Sequence, residues 1–154
     1  LPRIVTWAEF KSPEGEKFRV YNTHFPLKKF ARLRSIELIR KRLNPVLGKK
    51  PVILMGDFNF NPQSKEYTKL SDFVTDSFTE GLNDTPNNPL VTFHGFTGAT
   101  RLGNCPNKEG RIDFVWHNDF FEAQDAQILH YPERNDVLVY PSDHWPVYIE
   151  LTTT

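Results

Sequence analysis

The chain has 154 residues and a mass of 18.0 kDa, with 38% hydrophobic and 25% charged residues and an aromatic set of 13 Phe, 5 Tyr and 3 Trp. This is one domain's worth of polypeptide, able to bury roughly two-thirds of its unfolded surface, and the aromatic content excludes whole-chain disorder. The formal charge is zero, which excludes a globally basic nucleic-acid binder, and no apolar run approaches the ~20 residues of a membrane span.

Charge is nonetheless divided along the chain. Residues 1–55 carry 13 Lys and Arg against 4 acidic residues, and residues 56–154 carry 6 against 15. Two solvated faces of opposite sign account for this, as does a basic face for a phosphate-bearing ligand beside a carboxylate-rich metal site. The single cysteine, Cys105, excludes an internal disulfide and a cysteine-based zinc site. Asn83-Asp84-Thr85 fits a glycosylation acceptor, which matters only in a secretory pathway. The sequence starts at Leu1 without an apolar leader, which suggests a fragment or processed product and leaves localisation open.

Taken in order, residues 3–10 and 17–25 read as two strands around the turn composition Ser12-Pro13-Glu14-Gly15. Alternation along the second strand puts Phe18, Val20, Asn22 and His24 on one face. Residues 29–43 read as a helix with the stripe Leu33, Ile36, Ile39, Leu43, ended by Pro45 and Gly48. Its charges, including Arg32 and Arg34, form a solvated face, with phosphate contact the lesser alternative. Pro51 to Met55 reads as a wholly apolar strand covered on both sides.

Residues 64–73 read as a short helix. Residues 81–110 are rich in Asn, Pro, Gly and Thr, with a brief strand over Val91–Phe96. Ile112–His117, Phe120–His130 and Pro146–Leu151 read as further strands, giving a mixed α/β sheet protein.

Four segments place polar residues at strand ends: Tyr21-Asn22-Thr23-His24-Phe25, Met55-Gly56-Asp57-Phe58-Asn59-Phe60-Asn61-Pro62, Gly110-Arg111-Ile112-Asp113-Phe114-Val115, and Tyr140-Pro141-Ser142-Asp143-His144-Trp145-Pro146-Val147. Asp57 and Asn59 fall on one side of a strand exit, where open α/β sheets place ligands; a simple Asp/Asn turn explains them equally well. Asp113 lies between Ile112 and Phe114, so its carboxylate needs a partner. Arg111 or a backbone N–H would serve structurally. A histidine would serve chemically, because a carboxylate on one ring nitrogen fixes the tautomer and leaves the other free. His144 is the best candidate, ahead of His24 and His130. His94, His117 and His130 read as structural, although the loop of His94 could border a site. Oxygen donors without cysteine favour Mg²⁺ or Mn²⁺ over Zn²⁺, and a phosphate ester is the substrate class such equipment suits.

In this order, Asn-Thr-His-Phe, Gly-Asp-Phe-Asn, Arg-Ile-Asp-Phe and Ser-Asp-His-Trp-Pro-Val resemble the endonuclease/exonuclease/phosphatase superfamily, from His24 to Leu151. Its members include deoxyribonuclease I, repair endonucleases, inositol polyphosphate 5-phosphatases, neutral sphingomyelinases and deadenylases. Thr-Phe-His-Gly-Phe resembles a bacterial branch of general hydrolases. The resemblance implies a deoxyribonuclease I-like four-layer α/β sandwich. It further implies that residues 1–154 are about the second half of it, a single incomplete domain.

The resemblance also implies roles. His24 would contact the scissile phosphate. Asp57 and Asn59 would orient the attacking water and hold metal. Asp113 would orient His144, His144 would act as base or polarise the phosphate, and Asp143 would join the metal site. The family's early-strand Asn and principal Glu metal ligand have no counterpart here. The expected function is therefore Mg²⁺- or Mn²⁺-dependent phosphoester hydrolysis by the whole protein, on a substrate that could be a nucleic acid. The isolated chain would be weakly active or inactive, and the missing half or a complementing chain would be its partner. The alternative is a non-catalytic half-domain acting as an interaction module.

Overall fold

The computed structural model describes residues 2–81, 90–100, 110–130 and 140–154. Cys105 and Asn83-Asp84-Thr85 lie outside the described residues. Strands β1 (Val5–Lys11) and β2 (Lys17–His24) form an antiparallel hairpin, followed by helix α1 (Lys29–Leu47) and strand β3 (Val52–Asp57). Then come α2 (Lys65–Ser71), β4 (Thr75–Asp76), α3 (Ser77–Gly81), β5 (Asp113–His117), β6 (Phe121–Ile128) and β7 (Val147–Thr153). One sheet has the order β1-β2-β3-β5-β4, with β2 and β3 parallel and the other neighbours antiparallel; β6 and β7 pair separately.

The β2–α1–β3 crossover gives the molecule its core. Ile36, Ile39 and Leu43 of α1 face Tyr21, Val52, Leu54 and Trp116 of the sheet, and Phe25, Phe58, Phe60 and Phe114 fill the end near the strand exits. The three Phe after the strands meet at centroid distances of 4.8–6.2 Å in tilted or edge geometry, which adds to their area burial. The other sheet face meets the β6–β7 layer, where Phe18 touches Phe121 edge-on.

Several boundaries differ from the sequence reading. Helix α1 continues through Pro45 to Leu47, and Gly48 closes it. Proline this late forfeits one backbone bond, and the Lys49 and Lys50 N–H groups still close on the carbonyl of Val46. Val91–Phe96 is not a strand. It makes one antiparallel bridge, Phe93 to His144, and then turns away at positive φ in Gly95 and Phe96. Strand β4 and helix α3 are too short to leave a periodic signature. Strand β3 is covered fully on one face only: Val52 and Leu54 are buried, whereas Met55 is exposed toward the β6–β7 side. Arg32 is not part of a solvated face; it pairs with the buried Glu66 at 2.9 Å, while Arg34 stays at the surface with Glu37.

Candidate active site

Strand register builds the site. Across β2, β3 and β5, His24 stands opposite Asp57 and Asp57 opposite Asp113. Residues paired across neighbouring strands point to one face, so these three side chains form a row at one end of the sheet. The row faces away from α1 and α2, because the alternate residues Thr23 and Phe114 are buried on the helix side.

Glycine makes the row possible. Gly56 has φ +141°, and a Cβ there would stand 1.8 Å from the carbonyl oxygen of Thr23. Strand β3 approaches β2 this closely only without a side chain. Beyond the strand, Asn59 takes a left-handed φ of +52°. Its N–H donates to Asp57 Oδ1 at 2.8 Å, and its side-chain amide donates to the carbonyl of Phe25 at 2.8 Å. Asn59 therefore clamps the two strand exits together. The other oxygen of Asp57 lies 3.3 Å from His24 Nε2.

His144 enters from the opposite layer, just before β7. Its Nδ1–H donates to Asp113 Oδ2 at 2.8 Å, and its Nε2 makes no hydrogen bond to the described residues. Of the partners the sequence offers Asp113, Arg111 is committed elsewhere: it is buried and forks onto both oxygens of Asp76, with its guanidinium over Phe78 and Phe114. That buried anchor fixes the entry to β5 from behind.

The electrostatics follow from the crowding. Burial pushes the Asp57 carboxyl above its ordinary value, and the neighbouring Asp113 charge pushes it further. The Asp113 hydrogen bond raises His144 in favour of its imidazolium, outweighing desolvation. One oxygen or nitrogen atom from each of Asp57, Asp113 and His144 lies within 4.8 Å of the others, which makes them a metal-capable group among the described residues. Two carboxylates of this kind fit Mg²⁺, which binds through one or two carboxylates and fills its octahedron with water and substrate phosphate. Asp143 lies outside that group, although its charge reaches His144; its carbonyl accepts the N–H groups of His94 and Gly95.

The histidines read as structural behave differently from His144. His94 is buried and stacked on Trp145 at 4.1 Å, and burial lowers its pKa. His117 is buried with both ring nitrogens engaged. A cleft of about 260 Å³ opens beside the row, walled by Asn22, Met55, Val115 and Trp145 through Val147.

Residues 6–144 match the Endonuclease/Exonuclease/phosphatase family. The chain belongs to that family. No curated protein matches it in sequence. Among solved structures it is similar to a mannosyl-6-phosphatase of Bacteroides thetaiotaomicron at 28% identity and TM-score 0.81, covering 99% of this chain and 58% of that one. An endonuclease/exonuclease/phosphatase family protein of the same organism is 30% identical with TM-score 0.80, over 98% of this chain and 56% of that one. The human nocturnin catalytic domain, solved with a sulfate anion, shares the fold at 17% identity and TM-score 0.67, over 99% of this chain and 53% of that one. The chain thus spans just over half the length of these relatives. Its fold is deoxyribonuclease I-like, in a family that includes phosphatases and nucleases.

Sequence reasoning missed two supports of the site. One is the Arg111–Asp76 anchor, signalled only by an arginine beside an apolar strand. The other is Thr92, which the Thr-Phe-His-Gly-Phe segment contains but whose partners are distant in sequence.

Proposed function

We propose that this chain carries the acid–base half of a divalent-metal-dependent phosphoesterase. The observation that carries the reading is the row His24–Asp57–Asp113 with His144 closing onto Asp113 at 2.8 Å. Asp113 holds the proton on His144 Nδ1, which leaves Nε2 to serve as a base toward water or as a donor toward a phosphoryl oxygen. Asp57, fixed by the Asn59 N–H, orients the attacking water. His24, half-exposed at the rim, approaches the phosphate. A bound Mg²⁺ or Mn²⁺, held by Asp57 with Asn59 or Asp143 nearby, would neutralise phosphoryl charge.

The principal Glu ligand that the family resemblance implies has no counterpart among the described residues, and the other half of the natural protein or a complementing chain would supply it. The isolated chain is then weakly active or inactive. Similarity to a sugar phosphatase favours a small phosphomonoester over a duplex nucleic acid, and the zero formal charge agrees with that preference.

The test is hydrolysis of p-nitrophenyl phosphate and bis(p-nitrophenyl) phosphate by the full natural polypeptide, with and without a chelator. Activity lost to the chelator, restored by Mg²⁺ or Mn²⁺ and greatly reduced by His144→Ala supports the reading. Chelator-insensitive turnover, or full turnover by the isolated chain, overturns it. If the full polypeptide is inert and binds no metal, the chain acts instead as an interaction module. The solvent-exposed Phe10 and Met55, on the sheet face that β6 and β7 cover only in part, are the observation that favours this second reading.

A further inference from the structure

We propose that Thr92 is a positioning residue for the Asp113–His144 pair, holding the main chain on both sides of it. The proposal rests on the catalytic reading of that pair. Strand β5 is flanked by β3 over its whole length, but β4 reaches it only at Trp116 and His117. At the other end of β5, next to the site, the amides of Ile112 and Asp113 have no strand neighbour on that side. The Thr92 hydroxyl oxygen takes both: it accepts from Ile112 N–H at 2.9 Å and from Asp113 N–H at 3.1 Å. A hydroxyl has two acceptor lone pairs, so one side chain replaces a missing stretch of ladder.

The same residue reaches the histidine. The Thr92 carbonyl accepts the N–H of Trp145 at 2.7 Å, and its own N–H donates to Gly110 at 3.3 Å. Phe93, next in sequence, bridges to His144 in antiparallel fashion with the two rings 4.9 Å apart. The His94 and Gly95 N–H groups then take the carbonyl of Asp143. Thr92 is fully buried, so nothing else in its surroundings supplies these contacts from solvent. Asp113 comes from the five-stranded sheet and His144 from the approach to the two-stranded one. Their 2.8 Å contact spans two layers, and Thr92 is a single residue bonded to the backbone of both sides. A valine in its place keeps the shape and removes the acceptor, leaving two buried N–H groups unpartnered and Asp113 free to drift. Serine keeps the acceptor.

The experiment uses the full natural polypeptide with Mg²⁺ and p-nitrophenyl phosphate, or the diester if that is turned over. It compares wild type, Thr92→Val, Thr92→Ser and His144→Ala, with thermal unfolding of each. The expected result is a kcat for Thr92→Val reduced about 10- to 100-fold with KM within about twofold, a kcat for Thr92→Ser within about threefold of wild type, and loss of activity in His144→Ala. A loss of stability alone also lowers apparent kcat at unchanged KM, so kcat is taken per folded molecule, and the Thr92→Val loss must persist at a temperature where its unfolding curve shows it fully folded. Wild-type kcat in Thr92→Val while His144→Ala is inactive overturns the positioning role and spares the catalytic reading. Wild-type kcat in His144→Ala overturns both. If Thr92→Val does not unfold cooperatively, Thr92→Cys takes its place, because a thiol is a poor acceptor of similar size. Equal kcat in the serine and cysteine variants then overturns the proposal.

Discussion

Strand β5 ends in a histidine–carboxylate pair at each extremity. At its first residue, Asp113 accepts from His144 at 2.8 Å; at its last, His117 meets Glu80, also at 2.8 Å. The chemistry and the distance match, and the surroundings separate them. His117 is buried, its Nδ1 faces the carbonyl of Asn118 at 3.0 Å, and Glu80 also accepts the N–H of Ala123 at 2.7 Å. One ring nitrogen is spent on the carbonyl of the next residue, and the other, through Glu80, joins β5 to α3 and β6. His144 spends one nitrogen on Asp113, its other makes no hydrogen bond to the described residues, and Asp57 lies in the same group of potential ligands. A histidine–carboxylate contact is thus no sign of catalysis by itself; a second nitrogen with no partner among the described residues, and the adjacent carboxylate, are what distinguish the candidate site from the clamp.

The sharpest break between the two ends comes from removing the rings. His144→Ala in the full polypeptide is expected to lower kcat by 10²- to 10⁴-fold with little change in stability, read by phosphoester hydrolysis and thermal unfolding. Asp113→Asn should follow it closely. An asparagine amide donating to Nδ1 would move the ring proton to Nε2, the wrong tautomer for a base. At the other end, His117→Ala leaves a buried cavity and strands the carbonyl of Asn118. It should cost about 2–4 kcal/mol in urea unfolding and leave kcat per folded molecule unchanged. Equal catalytic losses at both ends would erase the distinction drawn here.

A milder substitution sharpens it. In Glu80→Gln the amide oxygen can take the place of Oε2, which meets both the Ala123 N–H and His117 Nε2, so the clamp keeps its contacts and loses only the carboxylate charge. The expected cost is about 1–2 kcal/mol, against the large catalytic loss of the matching change at Asp113. Urea midpoints and initial rates on the two amide variants provide the comparison.

Much of the site was legible because strand alternation is a strict rule. Placing Asp57 and Asn59 just past an apolar strand, and Asp113 at the start of another, required only period 2 and the expense of a lone carboxylate. The pairing of Asp113 with His144, 31 positions apart, followed from needing a partner of the right chemistry. What the sequence concealed depends on crossings between layers. Arg111 turns toward Asp76 instead of Asp113, because β4, only two residues long, brings that carboxylate behind β5. Thr92 acquires its role from a segment that forms one bridge and no strand. The depth of Arg32, half-buried against the buried Glu66, depends on α2 meeting α1, which the charge pattern of one helix does not record. The row of His24, Asp57 and Asp113 itself needed the register, which Gly56 allows by letting β3 close on Thr23.

The smallest effect probes protonation directly. Asp113 raises the folded-state pKa of His144 above the unfolded value of about 6.5. The stability this pair contributes is therefore full below about pH 6.5 and is lost as pH rises through the folded value. His94 acts in the opposite sense: burial lowers its folded pKa, so it removes stability as pH falls below about 6.5. The two slopes partly cancel in wild type, and a flat profile alone would mean nothing. Subtracting the Asp113→Asn profile removes most of the His94 contribution, whose main cause, burial, both proteins share. Between pH 6 and 9 the difference should favour wild type at the acid end by about 1 kcal/mol or less and shrink toward the alkaline end. Urea midpoints at four or five pH values suffice. A difference that grows with pH would mean that His144 is held neutral in the fold, and the Asp113 contact would then be orienting an imidazole without favouring its protonated form.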